Sequence, residues 1–122
     1  MTEFDKLLRI AKRKSTFDDS NKWSSGSETY LVEIKNEVDE VLEEMPKSRK
    51  CYLEDELGDV LWDYLNALVA LEKERGVNAR EVIARACQKY EERISAIESG
   101  DTWSNIKEKQ KASLEKEYQS NT

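Results

Sequence analysis

"LGDVLWDYLNALVAL", Leu57 to Leu71, decides the fold. Eleven of its fifteen residues are apolar, which is too dense for a helix with one face in water. The run sits inside a longer helical segment, from about Leu53 to Arg75, with Gly76 as its terminator. One thin domain cannot cover that much apolar circumference, so the surplus is expected to be buried against another copy, in a homodimer or homotetramer. The expected fold is all-α: an antiparallel helical bundle of four to five helices, completed by homo-oligomerisation.

The flanking segments supply the other helices. Thr2 with Asp5 resembles a capping box for a first helix over 1–14, whose apolar members are Phe4, Leu7, Leu8 and Ile10. "STFDDSNKWSSGS", Ser15 to Ser27, is rich in loop formers and reads as a connection. Ser27 can cap a second helix that Pro46 stops, with Leu31, Ile34, Val38, Val41, Leu42 and Met45 on one stripe. Asn78 with Glu81 caps a fourth helix to about Ser99. A fifth begins near Thr102, docks through Trp103 and Ile106, and is expected to fray over 112–122. The 122 residues are the size of one domain, 1–122, with its working core over 27–111.

The formal net charge is −6, and the basic residues are dispersed among acids. Binding to a nucleic-acid polymer by counterion release is not expected of such a chain. No stretch approaches the ~18 apolar residues of a membrane span and the start lacks a signal peptide's apolar run, so a cytoplasmic protein is expected. Cys51 and Cys87 have no metal-binding spacing and read as reduced, packing cysteines. The chain has no histidine, which removes Ser-His and Cys-His nucleophiles and leaves carboxylates, amines, guanidinium groups and metals.

Carboxylates are where the pattern sharpens. On a helix, residues three apart share a face, so Glu37 with Glu40 and Glu56 with Asp59 form two pairs. The loop between helices two and three is short enough for antiparallel packing, which brings the pairs to similar heights. Two carboxylates ~5 Å apart repel by roughly 3 kcal/mol at an effective dielectric near 20. Convergence therefore calls for a cation. An all-oxygen site favours Mg²⁺, with Mn²⁺ as a substitute, over Zn²⁺. Glu33 and Glu44 extend the acidic stripe and read as surface.

At this point the sequence resembles the MazG-like nucleotide pyrophosphohydrolases, whose signature is Glu-Glu-x-x-Glu, a variable spacer, then Glu-x-x-Asp. The matching residues are "NEVDE", Asn36 to Glu40, and "ELGD", Glu56 to Asp59. Asn36 stands where the family has its first glutamate, so the metal-ligand and catalytic roles carry over to Glu37, Glu40, Glu56 and Asp59 alone. Downstream, "KYEER", Lys89 to Arg93, is similar to a Lys-aromatic-x-x-Arg segment of the family, and "WSNIK", Trp103 to Lys107, to a Trp-x-x-x-Lys near the C-terminus of some members. The resemblance covers about Ser27 to Lys111.

What the resemblance implies is Mg²⁺-dependent hydrolysis of a nucleoside triphosphate to the monophosphate and pyrophosphate, in nucleotide-pool cleansing, with deoxynucleotides a possible preference. Lys89, Arg93 and Lys107 are the candidates for phosphate contact. Trp23 and Trp103 are candidate platforms for the base, with Lys22 beside Trp23. Two alternatives stand next to this. One is a non-catalytic helical module that binds a partner through its apolar third helix. The other keeps the fold and changes the nucleotide, to dUTP or phosphoribosyl-ATP.

Overall fold

The computed structural model describes residues 2–21 and 26–121, and these form five α-helices and one 3₁₀ turn with no strand among the described residues. The chain divides into two compact units, Met1–Ala79 and Arg80–Thr122. No helix among the described residues is long and apolar enough to cross a membrane.

The first unit holds α1 (Glu3–Asn21), α2 (Ser27–Glu44), the turn Met45–Lys47 and α3 (Lys50–Arg75). Helix α3 is its centre, contacting both α1 and α2. The sequence expectation of a helix apolar on every side holds from Leu65 to Val69, all buried. Leu8 and Ala11 of α1 and Tyr30 of α2 complete this core. Further toward the N-terminus of α3, Leu57, Leu61 and Tyr64 are exposed.

Three local expectations need correction. Helix α1 does not stop near Lys14 but runs to Asn21. Its capping box is present, the Asp5 amide donating to Thr2 Oγ1 at 3.1 Å, and across Ser15 to Asp18 the helix carries an i,i+4 pair, Lys14 with Asp18. Ser27 is not the cap of α2 but its first residue, preceded by Gly26 at φ +89°. The cap is supplied by Glu74 at the end of α3, which accepts from the Ser27 amide at 2.8 Å and the Ser27 hydroxyl at 2.6 Å. Cys51 and Cys87 do not pack in a core; both are exposed free thiols.

The largest difference is the face that α2 turns inward. Periodicity puts Leu31, Val38, Leu42 and Met45 on the buried stripe, yet they are exposed by 40 to 59%. The inward line is Ser27, Tyr30, Ile34, Glu37, Val41 and Glu44, buried or half-buried at steps of three and four. Glu44, expected at the surface, is buried and takes two hydrogen bonds from Arg49, at 3.0 and 2.6 Å. Arg49 in turn stacks on Tyr52, 4.1 Å from the ring centre. This clamp closes the α2–α3 turn, where Pro46 ends the helix and Ser48 takes a left-handed conformation.

The second unit is the antiparallel pair α4 (Ala79–Glu98, shared with the first unit at Ala79) and α5 (Trp103–Ser120). Thr102 caps α5 by accepting from the Asn105 amide, and α5 stays helical to Ser120 instead of fraying after residue 111. Side chains tie the pair: Arg85 to Glu117, and Arg93 to Gln110. Tyr90, Ile94 and Ile97 of α4 remain exposed.

Candidate functional site

Helices α2 and α3 run antiparallel, as the tie between Ser27 and Glu74 at one end and Glu44 and Arg49 at the other requires. That register sets Glu37 and Glu40 opposite Glu56 and Asp59. One carboxylate oxygen each from Glu37, Glu56 and Asp59 lies within 4.8 Å of the others. Glu40 is exposed and does not belong to that triplet, but it lies within hydrogen-bonding reach of both Glu37 and Glu56. Ionised carboxylates are all acceptors, so this approach is favourable only with a proton or a cation between them.

The electrostatics carry the mark of that crowding. Burial, the Glu40 contact and the charges of Glu40, Asp59 and Asp63 push the Glu37 carboxyl up to about 7. Glu56 is raised by burial and then by Glu40, Asp59 by burial and then by Asp55 and Glu40. Glu37 Oε2 and Glu56 Oε2 are sealed from solvent with no hydrogen-bond partner. Among the described residues no lysine or arginine forms an ion pair with any of the four.

Two buried carboxylate oxygens without a hydrogen-bond partner thus lie beside a third acid. A hard divalent cation fits them: all ligands are oxygen, and positive charge would relieve the repulsion.

The other sequence candidates fall elsewhere. Lys22 and Trp23 lie outside the described residues. Lys89, Arg93, Trp103 and Lys107 belong to the second unit. Lys89 and Lys107 are exposed. Arg93 is 6% exposed; its Nε donates to Gln110 Oε1 at 2.7 Å, and its guanidinium lies over the rings of Tyr90 and Trp103, 5.4 and 5.0 Å from their centres. One ring of the expected base platform thus carries an arginine.

Sequence reasoning passed over a line of polar residues on α3. Asp63 and Asn66 continue the Glu56 and Asp59 stripe at steps of four and three. Both are buried, and Asp63 Oδ2 has no hydrogen-bond partner. The signal was available: they are the only charged and amide side chains between Val60 and Leu71. Asn66 leads into a cavity of about 260 Å³ lined by Ser15, Asp18, Tyr30, Asn66, Ala70 and Lys73, among others. In its wall the Tyr30 hydroxyl donates to Asp18 at 2.5 Å and accepts from Lys14 at 3.2 Å.

The family model described as MazG nucleotide pyrophosphohydrolase domain matches residues 25–97, more than half of the chain. Comparison with curated proteins and with solved structures returned no match.

Proposed function

The chain belongs to the MazG nucleotide pyrophosphohydrolase family, and from that premise we propose that it hydrolyses nucleoside triphosphates, deoxynucleotides among them, to the monophosphate and pyrophosphate with Mg²⁺. The family makes it a hydrolase of nucleotides, and family hydrolases use divalent metals. The observation that supports the finer reading is the convergence of Glu37, Glu56 and Asp59 within 4.8 Å, with two of their oxygens buried and unpartnered.

Glu37, Glu56 and Asp59 would hold the ion, with Glu40 adding anionic charge from the rim. Bound there, Mg²⁺ would supply positive charge to the phosphate oxygens, favouring attack of water on the α-phosphorus with pyrophosphate as the leaving group. The acids themselves keep the triphosphate from binding without its counter-ion, since their own charge repels it. By their motif positions, Lys89, Arg93 and Lys107 are proposed to contact phosphate oxygens, and Lys22, Trp23 and Trp103 the base.

The exposed stripe of Leu31, Val38, Leu42 and Met45, with Leu57 and Leu61 of α3, supports a homo-oligomer, a dimer at least. In this reading 1–122 acts as one functional domain in the cytoplasm, cleansing the nucleotide pool.

The test is a panel of nucleoside triphosphates, with dUTP and phosphoribosyl-ATP included, incubated with Mg²⁺ and resolved for pyrophosphate and phosphate. Wild type should release pyrophosphate, and Glu40→Gln and Asp59→Asn should abolish release with helicity nearly unchanged. Variants that hydrolyse as fast as wild type would sink the assignment of the site.

A further inference from the structure

The carboxylate set explains the phosphate end of a nucleotide but not Asp63. This residue lies about 6 Å along the α3 axis from Asp59 and about 4.5 Å from Asn66, on the same stripe. It is 9% exposed, and its Oδ2 is sealed from solvent without a partner. It is not part of the triplet that meets within 4.8 Å, so the proposed cation does not account for it. Glu44, another buried acid, shows what a structural carboxylate looks like in this protein: Arg49 satisfies it twice. A buried carboxylate oxygen with no donor is costly, and it persists where a ligand supplies the missing group.

The neighbours say which group. One turn beyond Asp63, Asn66 is 2% exposed and opens on the cavity of about 260 Å³, close to the lower end of small-molecule sites at about 300 Å³. One Asn66 amide hydrogen goes to the Trp62 carbonyl at 2.8 Å, leaving its oxygen free to accept. Tyr30, facing the same cavity, gives its hydroxyl proton to Asp18. From Asp63 to Asn66 the stretch offers two acceptor oxygens and the second Asn66 amide hydrogen, while Lys73 in the cavity wall is engaged by Asp19; what Asp63 lacks is a neutral donor. Along α3 the order is carboxylate set, Asp63, cavity. Along a nucleotide it is phosphates, sugar hydroxyls, base.

We propose that Asp63 accepts a hydrogen bond from a hydroxyl of the substrate's sugar, and that the Asn66-lined cavity receives the nucleoside beyond it. This rests on the pyrophosphohydrolase reading and adds a specificity-determining residue to it. A hydrogen bond to a charged acceptor is worth roughly ten- to a hundredfold in discrimination.

The experiment compares kcat/KM of wild type, Asp63→Asn and Asp63→Ala on a ribonucleoside triphosphate, its 2′-deoxy form and its 2′,3′-dideoxy form. Removing the hydroxyl that Asp63 holds should cost wild type roughly ten- to a hundredfold. In Asp63→Ala that ratio should fall to within about twofold of one, with Asp63→Asn, which keeps the volume, between the two. The 2′-deoxy and dideoxy arms say which hydroxyl it is. No discrimination in wild type, or discrimination that survives in both variants, overturns the inference and leaves the pyrophosphohydrolase reading standing. Kd values of the corresponding 5′-monophosphates put the same question without turnover. The same dependence on Asp63 in a chain that cleaves no triphosphate would keep the inference and remove the activity.

Discussion

Crowded carboxylates should make the metal-free protein lose stability as the solution turns from acid to neutral. Below the ordinary glutamate value of 4.5 Glu37 is protonated in the folded and the unfolded chain alike, and well above 7 it is ionised in both. In between, the folded chain keeps a proton that the unfolded chain has released, so raising the pH favours unfolding. Moving from 4.5 to about 7 corresponds to roughly 3 kcal/mol for a sequestered group. Glu37 is only half-buried, and solvent screening leaves about 1–2 kcal/mol. For a chain of this length that is about 3–8 °C in melting temperature between pH ~5 and ~7.5. Glu56, Asp59 and Asp63 are raised as well and add in the same direction. Glu44, Glu74, Asp101 and Glu117 are lowered, so their opposite contribution falls below this window. Calorimetry in chelator across the range is the assay. Glu37→Gln should flatten most of the fall, and Mg²⁺ should restore wild type at the neutral end. A wild-type melting temperature that stays level or climbs would refute the idea that these acids are pressed together.

Gly26→Ala drives a Cβ into Glu74 Oε2 at a backbone φ of +89°; a loss of about 2–3 kcal/mol is expected in urea unfolding. Arg93→Ala should destabilise the α4–α5 pair by about 2–3 kcal/mol, through the lost Gln110 bond and the two aromatic faces. Lysine at 93 should not restore it, since an ammonium has no planar face to stack. Leu42→Glu, on the exposed stripe of α2, should shift the light-scattering mass toward the monomer while circular dichroism stays unchanged.

Gly76 and Pro46 end their helices where the amino-acid order says they must, because a positive φ and a missing amide proton are local facts. The spacing of three places Glu37 near Glu40 and Glu56 near Asp59 on their helices, but Glu37, Glu56 and Asp59 come together only because α2 turns its Glu37 face inward. The orientation of α2 is not legible in the same way. Hydrophobic periodicity offers Leu31, Val38, Leu42 and Met45 as the inward stripe, and the chain turns Tyr30, Glu37 and Glu44 inward instead. Periodicity reports that a stripe will be covered; it does not report by what. Glu44 is another case: a buried acid beside an arginine five residues on looks like two surface charges until the turn between them folds.

The last turn of α3 holds two separate anchors. Lys73 reaches Asp19 of α1 at 2.7 Å, and the neighbouring Glu74 grips the first residue of α2. The chain on either side of residues 22–25 is thus fastened to the same short piece of helix, whatever those residues are. Loosening that one piece of α3 would therefore release the end of α1 and the start of α2 together.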